Sequence, residues 1–329
     1  MKDRTAQNWV SRANGDVECH LCPHRCRIKE GGYGLCGIRT NESGELKAKA
    51  YGIYPAVHLD PIEKKPLNHF LPGSSILSLG SVGCNMTCLH CQNFSLARER
   101  AAGMEGYFIS PGKLVEMAGK SDSVGVAFTY NEPTINHEYL MDVCPMLRES
   151  RSRTVMVTNG YLSPEPWNEL MEHTDGANID VKGFSEAFYR EVTGGRLAPV
   201  IENVRSALDI GVHIEIAYLV IPGRNDDDVQ IEGFIDWVMN KLGEDVPVHF
   251  NRFHPDYKMV DVPPTSRGSL ESIRDKAVGG GIKFVYIGNM GGKDYNTTFC
   301  PSCKRPVITR DHFLSSSKGI SDGKCRKCG

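Results

Sequence analysis

The chain has no long apolar run: across 329 residues nothing approaches the roughly 18 consecutive apolar residues that a membrane helix needs. Its first residues, MKDRTAQNWVSRANGD, lack the apolar core of a signal peptide. Membrane insertion and secretion are therefore not expected, and a soluble, cytoplasmic protein is. An excess of charge is missing too, since 38 Lys and Arg against 40 Asp and Glu give a formal net charge of −2. That balance argues against a general binder of phosphate backbones, so nucleic acid is not an expected partner. Internal repeats and low-complexity tracts are absent as well, and the length suits one large α/β domain with small appendages. Cysteine, by contrast, is plentiful at twelve residues. In a cytosolic chain such cysteines read as metal ligands rather than disulfides. Four fall between Cys19 and Cys36, three in 84–91 and four between Cys300 and Cys328. Cys144 stands alone in an expected helix, where it reads as a packed small hydrophobe.

The most informative group is Cys84-Asn85-Met86-Thr87-Cys88-Leu89-His90-Cys91, a CxxxCxxC triplet just after the apolar run 75–80. Three thiolates on so short a loop can hold three irons of a [4Fe–4S] cube and leave the fourth open for chemistry. A structural zinc site wants four closed ligands, usually as two CxxC halves, and fits this spacing poorly.

From residue 75 onward, apolar β-branched runs alternate with helical patterns. Strands are expected at 75–80, 124–130, 154–158, 176–181, 213–221, 246–250 and 283–287. Helices are expected between them, among others at 136–150, 164–173, 200–210, 229–242 and 269–278. Strands separated by helices imply parallel βαβ units with right-handed crossovers. About six units fall short of a closed eight-fold barrel, so an open, partial (β/α)6 barrel is the expected fold class. It would span 70–290, with a four-cysteine module and lead-in at 1–69 and a C-terminal module at 291–329. The loop 255–268, with three prolines, is the longest stretch without periodicity.

In parallel α/β folds, ligand-binding groups gather at the C-terminal ends of strands. Asn131-Glu132-Pro133 follows the second expected strand, where Glu132 can accept from an ammonium and Pro133 stiffens the turn. Thr158-Asn159-Gly160 ends the third, and Asp180-Val181-Lys182-Gly183 the fourth, where alternation puts Asp180 and Lys182 on one face. A scaffold salt bridge is the alternative for that pair.

These segments together resemble the radical S-adenosylmethionine (SAM) enzymes, and within them the activating enzymes of glycyl-radical proteins of the pyruvate formate-lyase activase type. The order matches: CxxxCxxC, an NEP-type loop, TNG, D-x-K-G, then Thr193-Gly194-Gly195. Matches to Tyr218–Asp226 and Asn251-Arg252-Phe253-His254-Pro255 continue the pattern. Closer still is the likeness to the radical SAM component of the AmmeMemoRadiSam system. It rests on Cys19-His20-Leu21-Cys22-Pro23-His24-Arg25-Cys26, Asp60-Pro61-Ile62-Glu63-Lys64-Lys65-Pro66-Leu67, Cys91-Gln92-Asn93 and Phe128-Thr129-Tyr130-Asn131-Glu132-Pro133. The resemblance implies that the open iron chelates the methionine end of SAM and that reductive cleavage of SAM yields a 5′-deoxyadenosyl radical for hydrogen abstraction. It also implies SAM contacts from Asn131, Glu132, Asn159, Asp180 and Lys182. His90 occupies the place of an aromatic near the adenine, and imidazole can stack or hydrogen-bond there. Implied partners are a one-electron donor such as flavodoxin or ferredoxin, an unidentified small-molecule or protein substrate, and Memo-like and AMMECR-like proteins. Making a glycyl radical on a partner protein is the alternative within the enzyme class. A non-catalytic iron–sulfur and zinc-ribbon binding module is the alternative outside it, but it leaves the polar residues at successive strand ends unexplained.

At the C-terminus, Cys300-Pro301-Ser302-Cys303 and Cys325-Arg326-Lys327-Cys328 form two CxxC knuckles, a zinc-ribbon pattern. Cys19, Cys22, Cys26 and Cys36 also number four, at irregular spacing. Zinc is the first reading there and an auxiliary Fe–S cluster the alternative, because thiolate count alone cannot separate them. His20 and His24 read as solvated loop residues.

Overall fold

Strands β1 (Ala56–Pro61), β2 (Ser75–Gly80), β3 (Gly125–Phe128), β4 (Arg153–Thr158), β5 (Gly176–Asp180), β6 (His213–Val220), β7 (Val248–Arg252) and β8 (Val285–Gly288) form one eight-stranded sheet. The strands lie in sequential order. Strands β2 to β8 pair in parallel, and β1 pairs antiparallel with β2, with Ala56 opposite Gly80 and Pro61 opposite Ser75. The computed structural model describes residues 4–98, 106–291 and 293–329. Six helices make the crossovers: α1 (Pro111–Lys120), α2 (His137–Glu149), α3 (Pro164–Met171), α4 (Leu197–Ile210), α5 (Asp228–Trp237) and α6 (Arg267–Gly279). Seven parallel strands joined by six helices give the expected partial (β/α)6 barrel.

Local chemistry sets the boundaries. Side chains of Ser110, Asp227 and Ser266 accept hydrogen bonds from the backbone N–H three residues on, fixing the starts of α1, α5 and α6. Gly211 ends α4 in the left-handed conformation. The strand expected at 124–130 stops at Phe128, because Tyr130 takes φ +72° and turns the chain out of the sheet. Strand β1 lies in the segment read as lead-in, yet it extends the barrel sheet. Cys144 is fully buried on α2, as expected of a small hydrophobe.

The barrel interior carries an apolar floor of Ile62, Leu67, Ile76, Ala127 and Val155. Beside it, the Glu215 carboxylate on β6 accepts from the Asn68 and His69 backbone N–H groups at 2.9 and 2.7 Å and lies 2.7 Å from His249 Nε2. Burial alone would raise the Glu215 pKa, but the hydrogen bonds from His213 and His249 outweigh it and hold the carboxyl well below the ordinary range. The folded state therefore releases a proton more readily than the unfolded one. The stability this adds is complete above the unfolded pKa of about 4.3 and is lost as the pH falls further. In urea titrations from about pH 6 to about pH 3, Glu215→Gln is expected to flatten the acid side of the stability curve; an unchanged slope would place the acid sensitivity elsewhere.

The N-terminal module docks through Arg39, 1% exposed, whose guanidinium meets the buried Glu138 carboxylate of α2 at 2.7 and 2.8 Å. At the other end, the C-terminal module lays strand Pro306–Asp311 against the barrel. Arg310 Nη2 donates to Asn68 O, Tyr286 Oη of β8 lies 2.8 Å from Thr298 Oγ1, and Ser315 Oγ donates to Glu63.

Candidate active site

The CxxxCxxC loop leaves the C-terminal end of β2 and is clamped on every side. Asn131 Nδ2 donates to Gly83 O at 3.0 Å while its Oδ1 accepts from Ser81 N at 3.1 Å. Backbone N–H groups of Thr87 and Leu89 donate to Thr193 O and Val192 O at 2.7 and 2.9 Å. A Cβ on Gly194, which has φ +71°, would sit 2.2 Å from Thr87 Oγ1. Close approach of the two loops thus explains the glycine in Thr193-Gly194-Gly195. The aperiodic loop 255–268 reaches the same place, with Lys258 N donating to Leu89 O at 3.0 Å and Tyr257 stacked on Phe94 at 4.9 Å.

Burial pushes the Cys88 thiol up to about 11, with Lys182 pulling the other way, and pushes Cys84 higher still with the help of the Glu132 charge. Thiols this reluctant to ionise alone become thiolates when a cation binds them. Donors to sulfur are in place: Met86 N lies 3.4 Å and Asn159 Nδ2 3.7 Å from Cys84 Sγ. Among the described residues, the only three or more metal-ligating side chains whose ligand atoms all close to within 4.8 Å of one another are Cys300, Cys303, Cys325 and Cys328. The wider spread of Cys84, Cys88 and Cys91 suits irons at the corners of a cube rather than one tetrahedral ion.

The six residues expected to face SAM all gather around this loop, in two groups. Glu132 is 2% exposed, and its Oε1 accepts from Thr134 N at 3.0 Å and from the Thr134 and Thr158 hydroxyls at 2.7 Å each. Its Oε2 accepts from Asn159 N at 2.7 Å. Burial raises its pKa, opposed by these donors. Asn159 in turn donates to Asn85 Oδ1 at 2.9 Å and accepts from Tyr161 N at 2.8 Å. Glu132, Asn131 and Asn159 therefore brace the cysteine loop. The second group stands at and just beyond the C-terminal end of β5, with His90 in the cysteine loop itself. Lys182 Nζ donates to Asp180 Oδ2 at 3.2 Å, with side chains 16% and 37% exposed. Burial opposes the Lys182 charge, yet Asp180 and Cys88 raise its pKa above the ordinary lysine value. His90 is buried with Nδ1 unpartnered among the described residues, and burial next to the Lys182 charge pushes its pKa down to about 3. A neutral imidazole thus stands beside a permanent cation.

Sequence reasoning missed a third element. Lys65, buried, donates to Asp60 Oδ2 at 2.6 Å, Tyr130 Oη donates to the same oxygen at 2.5 Å, and Lys65 Nζ lies 4.6 Å from the Tyr130 ring centroid. This cluster braces the turn that presents Asn131 and Glu132. The run Asp60-Pro-Ile-Glu-Lys-Lys is visible in the sequence, but the aromatic left-handed residue that meets it is not. His24 is also corrected: it is half-buried, and its Nε2 lies 2.7 Å from Asn85 O in the cysteine loop. His20 pairs with Glu18 Oε1 at 2.9 Å.

Residues 79–235 match the profile of the radical SAM superfamily. The chain carries a radical SAM domain. An uncharacterized protein of Methanocaldococcus jannaschii is 39% identical over 328 residues, 99% of this chain and 98% of that protein, and the two belong to one family. A 4-hydroxyphenylacetate decarboxylase activating enzyme of Clostridioides difficile is 28% identical over 177 residues, covering 50% of this chain and 56% of that one. A pyruvate formate-lyase-activating enzyme of Clostridium pasteurianum is 23% identical over 193 residues, covering 55% and 80%. In fold, the chain is similar to Streptococcus suis SuiB bound to S-adenosylmethionine, with TM-score 0.50 and 14% identity over 66% of this chain and 52% of SuiB. No helix among the described residues is long and apolar enough to cross a membrane.

Proposed function

We propose that the protein cleaves SAM reductively at a [4Fe–4S] cluster held by Cys84, Cys88 and Cys91, and directs the resulting 5′-deoxyadenosyl radical at a C–H bond of a substrate inside the barrel. The observation that carries this reading is the braced three-cysteine loop, with His90 within it and Cys88 in electrostatic reach of Lys182 and Asp180. When bound, the cluster supplies the electron that breaks the C5′–S bond of SAM; the protein supplies position and dryness. Asp180 accepts from SAM's polar groups, Lys182 donates to an anionic or hydroxyl group, and neutral His90 packs or hydrogen-bonds near the adenine. Glu132, Asn131 and Asn159 line the site and act by holding the loop.

A cavity of about 700 Å³ opens at the gap between edge strands β1 and β8, walled by Asn68, His249, Asn251, Gly288 and, from the C-terminal module, Arg310 and Phe313. A volume of this size suits a small-molecule substrate. The likeness to two activating enzymes favours a second reading, hydrogen abstraction from a glycine of a partner protein. Anaerobic turnover with SAM, reductant and deuterated cell extract separates them. Deuterium in 5′-deoxyadenosine from the low-molecular-weight fraction supports the first reading, and deuterium from the protein fraction alone supports the second.

Two further outcomes follow. Lys182→Ala is expected to weaken SAM binding by about 1–3 kcal/mol, the worth of a charged hydrogen bond, with little change in melting temperature. Unchanged affinity with lost stability would make the Asp180–Lys182 pair a scaffold salt bridge. In the C-terminal module, Cys300 and Cys328 sulfurs lie 3.5 Å apart and Cys303 and Cys325 3.7 Å. A tetrahedral zinc with bonds of about 2.3 Å places its thiolates about 3.8 Å apart, so zinc is the proposed ion. Cys303→Ser/Cys325→Ser is expected to remove about one equivalent of zinc and leave iron content unchanged; loss of iron instead would make the ribbon part of the cluster site.

A further inference from the structure

The N-terminal cysteines do not behave like those of the ribbon. Cys19, Cys22, Cys26 and Cys36 all line one cavity of about 10 Å³, shared with Leu21, Ile28 and Arg39. Four thiolates on one zinc ion crowd about 3.8 Å apart and leave no room between them for a water-sized sphere. Among the described residues, no three of these sulfurs close as the ribbon's four do. In this they match the SAM-side trio. Bonds from sulfur to metal are shorter than van der Waals contacts, so the space open to a bonded core exceeds the cavity volume. Arg39 adds an independent observation: its side chain is buried, and its Nε–H has no partner among the described residues although the rest of the guanidinium is bound. An unpaired, buried N–H on a residue that lines the cavity with the four cysteines is a donor available to a sulfide or thiolate acceptor.

The cavity also abuts the SAM-side loop. Asn85, next to Cys84, is part of its wall. His24 Nε2 lies 2.7 Å from Asn85 O, and a Cβ on Gly83 would come within 2.4 Å of Cys36 O. We propose that Cys19, Cys22, Cys26 and Cys36 hold a second iron–sulfur cube, with Arg39 donating to it, and that this cube passes electrons to the one at Cys84, Cys88 and Cys91. The relay rests on the function proposed above; the metal site does not. One electron leaves a reduced flavodoxin- or ferredoxin-type donor for the N-terminal cube, and the donor is oxidised by one. The same electron then moves to the SAM-side cube, which ends reduced by one while the N-terminal cube returns to its starting state.

The test is iron, sulfide and zinc analysis of the full chain reconstituted anaerobically, with electron paramagnetic resonance of the dithionite-reduced protein. Wild type is expected to hold about eight irons, two cubes of four, and the C84A/C88A/C91A variant about four with acid-labile sulfide. A variant with no iron and a second equivalent of zinc would overturn the site. Reduced wild type should give a spectrum broadened by coupling between neighbouring spins, which collapses to one simple signal in the variant. Two sharp, additive signals would overturn the relay while leaving the site in place. Should circular dichroism show the triple variant unfolded, Cys22→Ser/Cys26→Ser gives the complementary reading: loss of about four irons supports the second cube, and loss of zinc alone overturns it.

Discussion

Replacing Cys84, Cys88 and Cys91 with alanine is expected to abolish reductive SAM cleavage while leaving in place the metal proposed for Cys300, Cys303, Cys325 and Cys328. The loop backbone is held by Thr193, Val192 and Lys258 through main-chain hydrogen bonds that do not involve the thiols, so the barrel should stay folded. Cys88 is a buried member of the core and Cys84 and Cys91 pack against it, but alanine removes only one sulfur from each, so the packing loss is expected to be small beside the loss of chemistry. Circular dichroism and melting near wild type, with no detectable 5′-deoxyadenosine, is the expected pair of results. Cleavage that persists in the triple variant would move the catalytic metal elsewhere.

Glu132→Ala is expected to produce the largest loss of stability among the site variants. Its carboxylate satisfies two backbone N–H groups, of Thr134 and Asn159, and two hydroxyls. Hydroxyls can rotate to other acceptors, but the backbone groups cannot. Two stranded, buried N–H donors at about 1–3 kcal/mol each give about 2–6 kcal/mol, a large share of a typical total of about 5–15 kcal/mol. Because Asn159 stands between Glu132 and both Asn85 and Cys84, iron retention on reconstitution should fall as well. Glu132→Gln keeps an acceptor but turns an NH₂ toward one donor, so a smaller loss is expected. A Glu132→Ala protein that melts like wild type and loses only SAM affinity would reassign Glu132 from brace to direct SAM ligand.

Much of this architecture is legible in the sequence because its signals are local. The seven apolar runs each became a strand of the sheet, and the cysteine spacing alone marks both the three-thiol loop and the C-terminal four-cysteine cluster. What the sequence conceals depends on approach through space. Tyr130 adopts a left-handed conformation that aromatic side chains seldom take, and only the fold brings its hydroxyl to Asp60. Strand β1 lies 14 residues before β2 by number, Pro61 to Ser75, and carries too little alternation to announce itself. Glu132 reads as a ligand-facing acid because its sequence neighbours resemble a SAM-binding loop; only the fold adds Thr134, Thr158 and Asn159 as its partners. His24, half-buried against Asn85, likewise gains its role from a contact 61 residues away in sequence.

The measurement that bears most directly on the central claim is mass analysis of SAM products after anaerobic incubation of the reconstituted, reduced protein. Formation of 5′-deoxyadenosine and methionine, dependent on reductant and on Cys84, Cys88 and Cys91, is the expected result. Intact SAM after prolonged incubation with protein that carries a reduced [4Fe–4S] signal would contradict it.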